Sequence, residues 1–338
     1  MRKWLIVILS IVLTALCVLA LFLVAGGGIT QTPAPTVTTA MPVMATVVTT
    51  AATEPAPTTV ATEPTETLPP LPEPPDMDHS TATHLFVYDM TNERMLFTMG
   101  DQNERIEPAS LTKLFTAYVA LQHVDPNQVV TVGEEAGWIA KDSSIAAVSE
   151  GCRLSIGMIL QGMLMQSGND AAYALAVAAG RVIESNDTLA AKPAYEAFVA
   201  EMNRQLEVLG FTATHFTNPD GYHDDDHYTT PAELLRITQL AVGEPLIREY
   251  CEMDTAQVYY DSGEDYTWKN TNWLVRPDME DYYCPEATGL KTGSTSEAGM
   301  CLLATFYSEN ADLIVGVLGC EEMEDRFVDA LTLFYHYR

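Results

Sequence analysis

Positive charge is what this sequence has least of. Lys and Arg number 17 against 46 Asp and Glu, a formal net charge of −29 over 338 residues. Phosphate backbones demand a basic patch, so nucleic acid is excluded as a partner. Cysteine is sparse and unpatterned. Cys17 lies in the N-terminal apolar run, and Cys152, Cys251, Cys284, Cys301 and Cys320 are scattered through the rest. No CxxC pair or Cys/His metal spacing occurs, so there is no structural zinc motif. No internal repeat is present either, which argues against a solenoid.

One long stretch lacks charge altogether. Residues 4–25 (WLIVILSIVLTALCVLALFLVA) follow Met-Arg-Lys. As a helix this run is about 33 Å long, enough for a bilayer core of about 30 Å. The preceding cations put the N-terminus inside and the remainder outside. Residues 1–28 therefore read as a membrane anchor, or as a signal sequence if the small residues at Ala25–Gly28 are cleaved, which would give a secreted protein. Residues 29–80 lack aromatics, Lys and Arg and consist largely of Thr, Pro, Ala, Val and Glu. Such a segment has nothing with which to build a core and reads as a disordered stalk. Residues 81–338 hold the folded part.

Within that part, His84–Asp89 and Arg94–Met99 read as a β-hairpin. Pro108–Gln122 reads as a helix with proline near its first position. Leu154–Met165 and the Ala-rich Asp170–Ala179 read as helices broken at Ser167-Gly168-Asn169, and Pro231–Val242 as another. Apolar runs at Gly289–Lys291, Gly299–Tyr307 and Leu313–Leu318 read as consecutive antiparallel strands, followed by a last helix at about 323–335. The expectation is an α/β layered domain whose sheet joins both ends of the chain. Cys301 and Cys320 stand at equal distances from the centre of the turn at 308–312. An unbulged hairpin would set them opposite each other, as a disulfide or as two packed thiols.

The chain has only six lysines (Lys3, Lys113, Lys141, Lys192, Lys269 and Lys291). One stands three residues after Ser110, in EPASLTKL. On a helix such residues share a face. A serine hydroxyl attacks carbonyls only when something takes its proton, and a lysine can do so if burial and neighbouring cations hold it neutral. Alone, S-x-x-K is common by chance. Two further fragments give it weight. Ser167-Gly168-Asn169 sits in a helix break, where a hydroxyl and an amide can project into a cleft. Lys291-Thr292-Gly293 lies on a strand, where a cation can hold a carboxylate and glycine admits a close backbone.

Together and in this order, the three match the active-site set of penicillin-binding proteins and class A β-lactamases. Their flanks, PASLTKL, SGNDAA and GLKTGST, with TNPDG and HYTT between, resemble the D-alanyl-D-alanine carboxypeptidases, the low-molecular-weight penicillin-binding proteins. The resemblance covers residues 81–338. It implies an antiparallel sheet flanked by helices, the β-lactamase/transpeptidase-like fold. The sequence has nothing after its last helix, so the expectation is a single catalytic domain without the family's C-terminal β domain. By the same resemblance, Ser110 is the nucleophile, Lys113 its base and Ser167 a proton relay. Asn169 holds substrate backbone, and Lys291 and Thr292 address its terminal carboxylate. Gly293 and Ser294 complete the strand edge, the Ser294 and Ser110 N–H groups forming the oxyanion hole, and Arg326 helps at the carboxylate end. No cofactor or metal is implied. The implied partners are peptidoglycan stem peptides ending in D-Ala-D-Ala and β-lactams as covalent inhibitors, with the membrane reached through the N-terminal helix.

Rival readings on the same fold are a D,D-transpeptidase or endopeptidase, a serine β-lactamase and a membrane-tethered β-lactam sensor. No E-x-x-L-N stretch lies between Asn169 and Lys291 to supply the deacylating glutamate of a class A β-lactamase. Gly221–His227 (GYHDDDH) has donors a zinc peptidase would use, but reads more simply as a solvated acidic loop.

Overall fold

The computed structural model describes residue 68 and residues 70–338; the apolar run at 4–25 and most of the Thr/Pro-rich segment lie outside the described residues. Among the described residues no helix is long and apolar enough to cross a membrane. In chain order the strands are β1 (His84–Asp89), β2 (Arg94–Met99), β3 (Val129–Thr131), β4 (Arg153–Ser155), β5 (Thr255–Tyr259), β6 (Asp265–Lys269), β7 (Ala287–Thr295), β8 (Gly299–Tyr307) and β9 (Asp312–Cys320). The helices are α1 (Thr112–Leu121), α2 (Ile156–Met165), α3 (Asn169–Ile183), α4 (Ala191–Val208), α5 (Pro231–Gly243), α6 (Pro245–Glu252) and α7 (Asp325–Tyr337).

The main sheet runs β2-β1-β9-β8-β7, antiparallel throughout, so the two ends of the folded part meet at the β1–β9 pair. Side chains alternate across it, as the period of two requires. From β1, Phe86 enters the large core beneath the helical region, while Leu85 and Val87 enter a second core under α7. In β8, Cys301 and Leu303 go one way and Leu302, Ala304 and Phe306 the other. Phe306 stacks on Phe334 of α7, their ring centroids 4.3 Å apart. Both faces are covered, which explains why β8 and β9 read as near-continuous apolar runs.

The segment ahead of β1 is seated on α7. Met77 is buried in the α7 core, Ser80 Oγ donates to Asp329 Oδ2 at 2.6 Å, and Thr81 Oγ1 donates to Asp325 Oδ2 at 2.6 Å. Packing therefore begins inside the stretch read from composition as stalk. The cysteine pair meets a different fate from the symmetric hairpin. The β8–β9 register shifts between Met300 and Leu302, which sets Cys320 opposite Met300. Cys301 then faces the helical core and Cys320 the α7 core, and both are free thiols, as are Cys152, Cys251 and Cys284. A β-bulge flips side chains to the other face, which composition and spacing do not register.

Candidate active site

Ser110 sits in a 3-10 turn (Ala109–Leu111) that runs directly into α1. Ala109 just before it has φ 48°, a left-handed conformation that costs a residue with a Cβ on the order of 1–3 kcal/mol. Tight packing holds it there. A Cβ on Gly221 would stand 1.8 Å from the Ala109 carbonyl oxygen, and one on Gly293 would stand 3.2 Å from Pro108 O, Ala109 Cβ and Leu111 Cγ. The glycines of NPDG and KTG thus let two other segments press against the turn that presents Ser110.

Lys113 lies one helical turn on and is fully buried. Its Nζ donates to Ser110 Oγ at 2.7 Å, to Asn169 Oδ1 at 2.7 Å and to the Asp220 carbonyl at 2.8 Å. Three protons and three acceptors fit an ammonium, so serving as a base requires one of these bonds to reverse. Burial brings the group to about 8, opposing the Asp220 and Asp170 carboxylates, which push it up. Desolvation supplies the depression, against the pull of the two carboxylates.

Two supports hold the opposite wall. Asp170, in the first turn of α3, accepts from the N–H groups of Ala146 (2.9 and 3.1 Å), Val148 (2.8 Å) and Ala171 (2.8 Å). This fixes the loop carrying Ser143, whose Oγ accepts from Asn169 Nδ2 at 2.9 Å. His227 is buried, and burial pushes it down to about 3, so the imidazole is neutral. Its Nδ1 accepts from Thr217 N at 3.1 Å, leaving Nε2–H to donate to Thr112 Oγ1 at 2.9 Å. The acidic loop read as solvated is thus pinned to α1 at its far end.

Between these walls lies a cleft of about 560 Å³. Ser110, Ser167 and Asn169 line it, as do Thr292, Gly293, Ser294 and Arg326. Of the residues named from sequence, Lys113 and Lys291 do not line it. Lys291 is 1% exposed, and its amine donates to its neighbour's carbonyl, Thr292 O, at 2.9 Å. Burial drives it well below an ordinary lysine, with Lys113 and Arg326 adding to the depression. Arg326 Nη1 donates to Gly293 O (3.2 Å) and Cys301 O (3.3 Å), and its buried Nε has no hydrogen-bond partner.

The family profile of the D-alanyl-D-alanine carboxypeptidases matches residues 71–322. This chain belongs to the D-alanyl-D-alanine carboxypeptidase family. It is 31% identical over 282 residues to the carboxypeptidase DacD of Escherichia coli, covering 79% of this chain and 65% of DacD. With DacF of Bacillus subtilis it shares 27% over 234 residues, covering 67% of this chain and 54% of DacF. The chain thus spans less than two thirds of the length of these curated relatives. The fold is similar to the crystal structure of a Streptomyces DD-transpeptidase, with a TM-score of 0.67 and 26% identity over 76% of this chain and 97% of that one. It also resembles ampicillin-bound penicillin-binding protein D2 of Listeria monocytogenes, with a TM-score of 0.62 and 25% identity over 78% and 99% of the two chains. The expected sheet-and-helix fold of this carboxypeptidase family is the one observed.

Against that family pattern, the structure adds residues that no short motif marks. Ser143 orients Asn169, Thr271 Oγ1 lies 2.7 Å from Thr292 Oγ1, and Lys269 and Arg276 line the cleft while both pair with Asp278 at 2.8 Å. Asn169 itself is engaged at both ends of its amide, by Lys113 and by Ser143.

Proposed function

We propose that this chain is a serine D-Ala-D-Ala carboxypeptidase acting on peptidoglycan stem peptides. Ser110 Oγ attacks the carbonyl between the two D-alanines as its proton passes to Lys113 Nζ. The tetrahedral oxyanion is held by the N–H groups of Ser110 and Ser294. The C–N bond then breaks, the terminal D-alanine leaves with a proton relayed through Ser167, and an ester remains on Ser110. Water adds to that ester and returns the proton to Ser110 Oγ, releasing the shortened peptide. Asn169 holds Lys113 in line. Thr292, Gly293 and Arg326 receive the terminal carboxylate, and Lys291 lies buried beside them on the face of β7 turned to the helical core.

The observation that carries this reading is the 2.7 Å bond between Ser110 Oγ and a fully buried lysine brought to about 8. Intact-mass analysis after incubation with penicillin tests it. One covalent adduct is expected, with none in Ser110→Ala. An adduct that persists in that variant would sink the assignment.

A D,D-transpeptidase is the second reading, favoured by the name of the Streptomyces structure. Both share the acyl-enzyme and differ in whether water or an amine takes the acyl group. Product analysis with a D-Ala-D-Ala peptide and an added amino-acid acceptor separates them. Residues 1–28 serve in this proposal as an N-terminal anchor or signal and the Thr/Pro-rich segment from 29 up to the packed Met77 as a spacer, which puts the catalytic domain outside the cell, against the wall. Alkaline extraction of membranes tests the anchor; release of the intact chain would argue for the secreted form.

A further inference from the structure

The acidic loop read from sequence as solvated has a second face. Its His223 points toward two glutamates from segments far away in the chain. Glu107 precedes the Ser110 turn and Glu297 stands in the turn between β7 and β8. One ligand atom from each of the three lies within 4.8 Å of the others. His223 Nδ1 is 2.9 Å from Glu107 Oε1 and 4.0 Å from Glu297 Oε2. We propose that Glu107, His223 and Glu297 form a binding site for a divalent first-row transition metal at the rim of the cleft.

The geometry is close to what such an ion needs. Nitrogen and oxygen ligands about 2.0–2.2 Å from a tetrahedral ion stand roughly 3.4 Å from each other. The side chains are 25–43% exposed, so small rotations close the difference. The outer ring nitrogen, Nε2, is 3.9 Å from the exposed Asp225 Oδ1, beyond hydrogen-bond distance, so the ring is free to turn toward an ion. A simple histidine–glutamate ion pair would engage Glu107 and leave Glu297 as an unneutralised charge beside it. Two carboxylates and a neutral imidazole balance a 2+ ion, and the −29 chain draws cations in. The imidazole selects zinc over magnesium or calcium, which prefer oxygen alone.

The placement gives the ion a consequence. Glu107 is three residues before Ser110. His223 is three residues after Asp220, whose carbonyl accepts from Lys113, and Glu297 is three residues after Ser294. A bound ion ties together the three segments that enclose the cleft. This inference does not depend on which reaction the cleft performs.

Equilibrium dialysis of the untagged full chain against zinc, with magnesium in parallel, tests it, with bound metal measured by elemental mass spectrometry. One zinc per chain and no retained magnesium are expected. His223→Ala should lose the zinc and Glu297→Gln should weaken it several-fold. Ser110→Ala and His215→Ala should keep it. No zinc on the wild type, zinc retained undiminished by His223→Ala, or magnesium held equally well would each overturn the site.

Discussion

At the scale of single residues, the site turns on two buried amines with different surroundings. Lys113 has Ser110 in contact, and only its neutral form can take a proton. It is mostly ammonium below about pH 8 and neutral above, so the acylation rate should climb as pH rises through that value. A stopped-flow pH profile with a chromogenic β-lactam checks this. Lys113→Arg keeps the charge but is never a base at these pH values, so acylation should fall by at least about 10²-fold. Lys291 is buried and does not line the cleft, whereas Arg326 does, and its buried Nε has no hydrogen-bond partner. Arg326→Gln should therefore lower kcat/KM for a D-Ala-D-Ala peptide by roughly 10- to 150-fold, the loss of a charge-assisted hydrogen bond of about 1.5–3 kcal/mol. A peptide amidated at its C-terminus should be poor with the wild type and indifferent to the change. Equal losses for both peptides would move the carboxylate contact elsewhere.

At the scale of elements, the proposed catalysis depends on how closely three chain segments approach each other. Gly221 has φ 79° and packs its Cα onto the Ala109 carbonyl. Gly221→Ala has to displace the Ser110 turn or unseat its own loop. A misplacement of about 1 Å costs on the order of 10²-fold, so penicillin acylation should drop by that much. Circular dichroism should show the variant still folded, because the clash is confined to the Ser110 turn and the loop carrying Gly221. Ser167 is held similarly, with φ 56° in the break between α2 and α3. Gly168 N and Asn169 N are taken up by Gly162 O at 3.3 Å and Ser144 O at 2.8 Å, so the loop on one side and the helix on the other keep the break in place.

At the scale of the whole molecule, the fold is held by burial rather than by cross-links. The cysteines of the described part are free and buried, on both faces of the sheet. Reductant should leave the melting temperature unchanged, and thiol counting in denaturant should find Cys152, Cys251, Cys284, Cys301 and Cys320 all reactive. A melting point that falls with reductant would show a bond that the β8–β9 register does not admit. The chain closes on itself where residues 77–81 lie on α7. Asp329→Ala strands the Ser80 hydroxyl and removes a buried acceptor, a loss of about 1–3 kcal/mol measurable by chemical denaturation.

What the sequence determined on its own is local. The hairpin at 84–99, the helix starts at Pro231 and near Pro108, and the three motifs were all legible, because capping, alternation and short spacing act over a few residues. Helical spacing paired Ser110 with Lys113, Asn169 joined them only through family resemblance, and Lys113 Nζ lies within hydrogen-bond distance of both. The long helix α4 and the β5–β6 hairpin went unread: α4 buries only Ala191, Ala194, Phe198, Glu201, Met202 and Leu206 among many polar residues, and alternate residues of β5 and β6 are exposed. Tertiary structure alone decided that neither Lys113 nor Lys291 lines the cleft, because packing between the sheet and the helical region buries both amines. It also decided the sidedness of Cys301 and Cys320, through one bulge. The meeting of Glu107, His223 and Glu297 is of the same kind: residues 116 and 74 positions apart become neighbours only when the sheet, the Ser110 turn and the loop after Asp220 pack together.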